Sequence, residues 1–148
     1  MGKKIKKKNK FKYEGRFAGI THKQKESEAF KGLTIHAKWL YLEFRFKYNG
    51  ENEHNIIFTY QDAEKIMSKS TFVKSRNQLI ERGFIDVIKR GGLEKQPIIY
   101  GLSNRWKKYG TEEFIKVKIK DILPRMYKIR FKRGHKFMGN QYKKKEHL

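Results

Sequence analysis

The sequence predicts an α+β fold: a small domain with three helices, a short strand and a β-hairpin, and basic extensions at both ends. Apolar residues recur at helical spacing in three segments, two β-rich runs follow the third segment, and glycines separate these elements. With 148 residues and 37% apolar content, the chain can form one domain with a modest core. A second domain is not expected.

The first helix is predicted over residues 34–48. Intervals of three and four residues separate its main apolar positions, which are Ala37, Leu40, Tyr41, Phe44 and Tyr48. Trp39, Leu42 and Phe46 widen this apolar surface, and Asn49-Gly50 ends the helix. We interpret the aromatic residues of this helix as core and not as a platform for stacking bases. The apolar run at residues 56–58 predicts a very short strand.

Two further helices are predicted over residues 60–67 and 71–82. Thr59 is placed to cap the first of them, and Asp62 completes a weak capping box. Ser68-Lys69-Ser70 interrupts the pattern and supplies hydroxyls that can cap the next helix. That helix carries Phe72, Leu79 and Ile80 on one face and ends at Gly83, a residue that commonly ends helices.

Two β-rich runs follow, at residues 84–88 and 98–102, with Gly91-Gly92 between them. Helix, turn, helix and hairpin is the order of a winged helix-turn-helix, in which the hairpin is the wing. We assign this domain to residues 26–114. A basic, largely disordered arm is predicted over residues 1–25, and a basic extension over residues 115–148.

The N-terminal arm begins with seven lysines in residues 1–12, which offer almost nothing to bury. Residues 13–25 are expected to form an extended lead-in, and residues 26–30 a helical turn.

Beyond the hairpin, residues 104–110 are expected to form a turn or short helix that folds Trp106 and Tyr109 back onto the domain. Residues 111–113 have the composition of a helix start. Apolar and basic residues alternate over 115–120 and again over 127–132, which predicts extended structure with one basic face. Residues 121–125, which contain Pro124, can form the bend of a β-hairpin between these two runs. A helix through residues 112–123 fits the spacing as well. Residues 133–148 are expected to form a loose basic tail.

The formal net charge of +22 points to a polyanionic partner, since lysine and arginine bound to phosphates release condensed counterions. Residues 34–102 hold 11 basic and 8 acidic side chains, a net charge of only +3. The remaining +19 lies in the flanking segments. Double-stranded DNA, RNA and an anionic membrane surface are the candidates. No membrane partner is expected, because no run approaches the roughly 18 apolar residues of a spanning helix.

Residues that commonly carry catalysis or bind metals form no recognisable motif. The five histidines show no i, i+4 pairing, and cysteine is absent, so neither a metal site nor a cofactor is expected. Ser68, Ser70 and Ser75 are interpreted as caps and surface positions. We therefore expect no enzyme. The lack of cysteine fits a reducing cytoplasm. We expect a cytoplasmic, nucleoid-associated protein.

The candidate nucleic-acid-binding residues lie on the third helix, on the wing and just after it. In a helix-turn-helix the N-terminal part of the second helix of the motif enters the major groove. Asn and Gln amides offer the paired donor and acceptor that adenine requires, lysine reaches guanine or phosphate, and valine can meet a thymine methyl. The candidates are Lys69, Ser70, Thr71, Val73, Lys74, Asn77, Gln78, Lys89, Arg90, Lys95, Arg105, Lys107 and Lys108.

Arg76 does not fit this pattern. Its spacing places it near the buried side of the third helix, where an apolar residue is expected. Either its side chain extends to a phosphate or the helix is rotated from the predicted orientation.

The chain resembles the winged-helix proteins of phages, plasmids and mobile elements, which include replication-initiator-like proteins and transcriptional regulators. The resemblance covers roughly residues 28–114 and is carried by AFKGLTIHAKWLYLEF, STFVKSRNQLIERGFIDVIKRGG and YGLSNRWKKYGT. It implies the fold and binding of double-stranded DNA through residues 69–82. The departures are Arg76, where such proteins more often carry an apolar residue, and the strongly basic flanks.

The expected function is sequence-specific binding of double-stranded DNA, in a transcriptional regulator or replication-associated factor of a mobile element. The alternative is an RNA-binding or ribosome-associated protein, for which Tyr127 and Phe131 are the candidates to stack on bases. A third interpretation is an interaction module that forms a homodimer or binds another protein through the same faces.

Overall fold

The computed structural model describes residues 14–92 and 96–123. Lys95, Tyr127 and Phe131 lie outside the described residues, as do the predictions for residues 1–12, 127–132 and 133–148. Within the described part, six α-helices, three strands and one 3-10 turn follow one another. In chain order they are α1 (His22–Glu26), α2 (Glu28–Lys31), α3 (Ile35–Lys47), β1 (Ile56–Ile57), α4 (Tyr60–Glu64), α5 (Lys69–Glu81), β2 (Ile85–Lys89), β3 (Ile99–Leu102), the 3-10 turn (Arg105–Lys108) and α6 (Ile119–Ile122).

The three strands form one antiparallel sheet in the order β1-β3-β2. Ile56 lies opposite Tyr100, and Ile85 lies opposite Leu102. The register of β2 against β3 shifts between Val87 and Lys89. All three strands were predicted to within one residue at either end, and the α+β class is confirmed.

The core lies where α3 packs against α5 and the sheet closes over both helices. Its centre is aromatic: the Phe44 ring stacks on Phe58 at 4.9 Å between centroids and meets the edge of Tyr100 at 5.2 Å. Phe58 in turn stacks on Phe72 of α5 at 5.7 Å. The prediction that the aromatic residues of the first helix form core is confirmed for Tyr41 and Phe44, which are fully buried. It is wrong for Trp39 and Phe46, which lie on the opposite side of the helix with about half of their surface exposed.

Threonine or serine caps begin the three central helices. Thr34, Thr59 and Ser68 each accept a hydrogen bond from the backbone N–H three residues on, which satisfies a helix-end donor that has no partner within the helix. The predicted capping box of Thr59 and Asp62 is present. α4 ends at Glu64, three residues earlier than predicted, and α5 begins at Lys69, two residues earlier, because Ser68 alone serves as its cap.

The segment before α3 is more ordered than its composition suggested. Residues 22–26 form α1, where an extended lead-in was expected, so the folded domain begins within the predicted arm. The Gln24 side chain is buried and its Nε2 donates to the Tyr41 hydroxyl at 2.9 Å. This hydrogen bond ties α1 to α3. The expected helical turn at residues 26–30 is present as α2, shifted by two residues at its start.

Beyond the sheet, the 3-10 turn confirms the predicted turn, and Trp106 is buried with its ring parallel to Phe84 at 5.9 Å. The helix start expected at Thr111 is not a helix; residues 111–113 form a turn. Residues 115–118 belong to neither helix nor strand, and only α6 within the predicted 112–123 helix is helical.

Gly83 permits the tight passage from α5 to β2. Its φ is +83°, and a Cβ at this position would lie 2.7 Å from the Trp106 backbone nitrogen. Both the left-handed conformation and the close approach require glycine here.

Candidate nucleic-acid interface

One face of α5 is open to solvent while the opposite face is locked into the core. Phe72, Leu79 and Ile80 are fully buried, as predicted. On the outer face, Ser70, Lys74 and Glu81 are exposed, while Val73 and Asn77 are half-buried along one edge. The helix therefore exposes a narrow polar strip, while its buried face holds it in place against the core.

Ser75 is not the surface position that was expected. It lies on the buried side of α5 with 2% of its surface exposed. On a helix of 3.6 residues per turn, Ser75 falls beside Phe72 and Leu79, so the same spacing that buries those residues also buries Ser75.

Arg76 is also buried, with 4% of its surface exposed. Its guanidinium carbon lies 5.7 Å from the centroid of the Phe72 ring. The neighbouring Tyr100 hydroxyl has its pKa raised by burial, and the charge of Arg76 acts in the opposite direction. The helix has the predicted orientation, because Phe72 and Leu79 point inward. Arg76 is accommodated by aromatic rings and does not extend to the surface.

The hydrogen bonds of Arg76 fix the orientation of the Asn77 amide. Arg76 Nε and Nη2 donate to Asn77 Oδ1 at 3.3 and 3.1 Å. A guanidinium has donors only, so the group facing it must be the amide oxygen. Asn77 therefore has its acceptor engaged inside the protein, and its Nδ2 is the group left to interact elsewhere.

The amide of Gln78 is engaged in a similar way. Its Oε1 accepts from Thr34 N–H and from the Thr34 hydroxyl, each at 3.2 Å. Gln78 thus holds the start of α3 against α5. In this arrangement, neither the Asn77 amide nor the Gln78 amide presents a free donor together with a free acceptor. The prediction that these side chains bind adenine required such a pair.

The residues at the start of α5 interact with one another and with α4. The Ser68 hydroxyl lies 2.8 Å from that of Thr71 and 3.3 Å from that of Ser70. Lys69 Nζ lies 4.5 Å from the centroid of the Tyr60 ring, a cation–π contact. Lys69 and Ser70 are exposed and Thr71 is half-buried.

On the hairpin, Lys89 and Arg90 are both exposed. Arg90 Nη2 donates to the Asp121 carbonyl at 2.9 Å, which joins the end of β2 next to the hairpin loop to α6.

The Arg105 guanidinium is bonded to other parts of the fold. Its Nε donates to Asp86 Oδ1 at 2.8 Å, Nη2 donates to the Ile80 carbonyl at 2.7 Å, and Nη1 donates to the Ile115 carbonyl at 3.0 Å. These bonds join the end of α5, β2 and the C-terminal segment. The neighbouring Lys107 and Lys108 are exposed, and Lys108 forms an ion pair with Glu113.

The segment after the 3-10 turn runs beside α5 and leaves an open groove of about 840 Å³ between them. Val117 and Ile119 are half-buried, whereas Lys116, Lys118 and Lys120 are exposed. These three lysines were absent from the candidate list. The alternation of apolar and basic residues does predict that these lysines form one basic face. That this face lies beside α5 follows only from the fold.

No helix in the described part of the chain has the length and apolar character needed to cross a bilayer. The described residues also contain no group of three or more His, Cys, Asp or Glu side chains placed to hold a metal ion. Comparisons with known protein families, with curated proteins and with solved structures return no match to this chain.

Proposed function

We propose that this chain is a winged helix-turn-helix protein that binds double-stranded DNA without catalysing a reaction. In this assignment α3, α4 and α5 are the three helices of the motif, β1 is the short first strand, and β2 and β3 form the wing. The element order and the β1-β3-β2 sheet support it.

The exposed strip of α5 is the observation that carries the proposal. The buried face of α5 holds the helix on α3 and the sheet, so Ser70 and Lys74 project from a rigid element. A helix about 10–12 Å wide fits the major groove, which is about 12 Å wide. The first half of α5 would enter the groove, and Lys89 and Arg90 of the wing would lie against the adjacent backbone.

The strip offers hydrogen-bond donors and few acceptors. Lys74 can only donate, and the oxygen of Asn77 is engaged by Arg76, so Nδ2 is its available group. Guanine presents two acceptors, N7 and O6, in the major groove. We therefore expect α5 to favour guanine where Lys74 and Asn77 reach a base.

The flanking segments supply most of the affinity in this proposal. They hold +19 of the net charge, and this includes the exposed lysines at 116, 118 and 120, which lie beside α5. Arg105 is left out of the binding set because Asp86 and two backbone carbonyls already occupy its guanidinium. The output is proposed to be transcriptional regulation or replication of a mobile element, in the cytoplasm on the nucleoid.

A competition experiment tests this proposal. A labelled duplex pool is bound to the full chain at near-physiological salt and competed with unlabelled duplex DNA, single-stranded DNA and structured RNA of equal length. Duplex DNA should compete best. If structured RNA displaces the duplex more effectively than duplex DNA does, the proposal fails in favour of RNA binding.

A matched pair of lysine variants separates the α5 strip from bulk charge. Lys74→Ala removes one charge from α5 and Lys23→Ala removes one from α1, where Lys23 is also exposed. Lys74→Ala should reduce the preference for selected over random duplexes by roughly 10-fold, whereas Lys23→Ala should leave that preference unchanged. If the two variants change the preference for selected duplexes equally, α5 does not read the DNA sequence.

A further inference from the structure

The α3 helix has a second apolar face, opposite the face that it buries. Trp39 and Phe46 are 49% and 52% exposed, Ile35 is 82% exposed, and Leu42 is half-buried. We call these four residues the α3 stripe. They are separated by four, three and four residues, which places them on one side of the helix. The buried residues Ala37, Leu40, Tyr41 and Phe44 lie on the other side.

The spacing of the α3 stripe is that of a coiled-coil seam. With Ile35 and Leu42 at d positions, Trp39 and Phe46 fall at a positions. Lys38 and Arg45 then occupy g positions, and His36 and Glu43 occupy e positions. The sequence of α3 thus places a basic flank on one side of the stripe and Glu43 on the other.

We propose that two copies of this chain pair through the α3 stripe, with the two α3 helices parallel and related by a two-fold axis. In a parallel pair, a g residue meets the e residue five positions further along the partner helix. Lys38 of each copy would therefore meet Glu43 of the other, which gives two identical ion pairs. In an antiparallel pair the basic flanks would face each other, with Lys38 opposite Arg45, and repel.

Two candidates could cover the α3 stripe: a second copy of the chain, or the terminal segments of the same chain. Charge favours the second copy. Residues 1–13 contain seven lysines and no acidic residue, and residues 124–148 contain nine basic residues and one acidic residue. Either segment would bring positive charge to the flank that holds Lys38 and Arg45. A second copy brings Glu43 instead.

The size of the α3 stripe fits a weak dimer. Half of Trp39 and Phe46 and four-fifths of Ile35 amount to roughly 400 Å² per copy. Two copies, with Leu42 and the stems of the flanking side chains, approach 1,000 Å², about the lower limit for a specific interface. We expect dissociation in the micromolar range. Lys38 Nζ lies 5.3 Å from the Phe30 ring in the single chain. In the dimer it would leave this ring and pair with Glu43 of the other copy.

This inference goes beyond the proposed function and does not rest on it. Pairing of two copies and binding to a polyanion also respond to salt in opposite directions. Each copy carries +22, so screening should strengthen self-association, whereas binding to a polyanion weakens as salt rises.

Sedimentation of the full chain without nucleic acid tests the proposal. At about 0.3 M salt, where the Debye length is about 6 Å, the wild-type mass should rise from monomer to dimer across the micromolar range. Trp39→Ser should weaken the dimer roughly ten-fold or more. Ile88→Ser is the matched control, since Ile88 is 51% exposed on the hairpin, and it should leave the dimer unchanged. Circular dichroism checks that each variant is folded.

Charge reversal tests the parallel arrangement. Lys38→Glu and Glu43→Lys should each weaken the dimer several-fold, and the double variant should restore it, because the ion pairs are exchanged while the net charge stays at +22. A wild-type chain that remains monomeric at every concentration overturns the proposal. A dimer that Trp39→Ser leaves intact, or one that the double variant does not restore, overturns it as well.

Discussion

At the level of single residues, hydrogen bonds within the protein decide which groups α5 can offer to a base pair. Arg76 and Thr34 engage the side-chain oxygens of Asn77 and Gln78. The two amides therefore act as donors, although their free side chains contain both a donor and an acceptor. The buried Arg76 thereby decides which group of the Asn77 amide is left to interact, without reaching the surface itself.

Replacing Arg76 with methionine should change which base is preferred. Arg76→Met removes both donors to Asn77 Oδ1, so the amide can turn and bind adenine through two hydrogen bonds. We expect selection from a random duplex pool to show a shift from guanine towards adenine at one position, of roughly 10-fold. Stability should change little, since an apolar side chain replaces a buried charge. An unchanged base preference in the folded variant would contradict this role.

Replacing Arg105 should destabilise the fold and leave specificity intact. Arg105→Gln removes the bonds to Asp86 and to the carbonyls of Ile80 and Ile115, with an expected cost of about 2 kcal/mol in the free energy of unfolding. Urea denaturation measures it. Lys107→Gln is the matched control, because Lys107 is exposed in the same 3-10 turn and, with a contact to the Trp106 ring at 5.8 Å, should contribute much less to stability than Arg105. Equal stability of the two variants would refute the structural role of Arg105.

At the level of elements, the start of α4 is stabilised by a titrating group. The Thr59 N–H donates to the Asp62 carboxylate at 2.9 Å, and this bond is the main cause that holds the pKa of Asp62 below its ordinary value of 3.8. Partial burial acts in the opposite direction. The Thr59 hydroxyl and Lys47 add further stabilisation of the charged form. The ionised carboxylate therefore favours the folded state.

Acid should remove this contribution to stability. Because the folded pKa is lowered, the stabilisation is present above pH 3.8 and is lost as the pH falls through the folded pKa. Asp62→Asn keeps an acceptor but does not titrate, so its unfolding free energy should depend less on pH in this range, by about 0.3–1 kcal/mol. The exposed Glu64 on the same helix supplies the control, Glu64→Gln. An identical acid dependence in wild type and Asp62→Asn would contradict the assignment.

At the level of the whole molecule, the net charge is divided unequally along the chain. The segment that forms α3 to β3 holds a net +3, and the flanks hold +19. In the proposed function, the central part would select a site on DNA and the flanks would supply most of the affinity. This division predicts that affinity and specificity can be changed separately.

Neutralising the N-terminal lysines should lower affinity without altering base preference. Replacing the seven lysines of residues 1–12 with glutamine should reduce the slope of log affinity against log salt by up to about 6, since each phosphate contact contributes about 0.9. Fluorescence anisotropy at several salt concentrations measures this slope. A slope equal to that of the wild type would show that these lysines make no phosphate contacts.

Much of the fold follows from local patterns in the sequence. Phe72, Leu79 and Ile80 indicated the buried face of α5, and Gly83 marked its end. The roles of Gln78 and Arg105 could not be predicted, because their partners lie far away in sequence. Arg76 bonds its neighbour Asn77 and lies over the Phe72 ring, but the spacing of apolar residues does not show that a buried arginine makes these contacts. Gln78 is bonded to Thr34, 44 residues distant, and Arg105 joins residues 80, 86 and 115. Hydrophobic periodicity indicates burial, but it does not indicate which polar groups meet there.

The α1 helix was missed for a related reason. Its five residues are polar, so they carry no periodic apolar signal. Its order comes from the Thr21 capping box and from the bond of Gln24 to Tyr41, and only the first of these is local in sequence.

Selection from a random duplex pool by the wild type and by Lys74→Ala tests the proposal that α5 reads double-stranded DNA. The wild type should enrich a defined motif that contains guanine, and Lys74→Ala should lose preference at one or two positions of that motif while it still binds duplexes. If the wild type enriches no motif, or if Lys74→Ala enriches the same motif with the same preference at every position, α5 does not read the sequence.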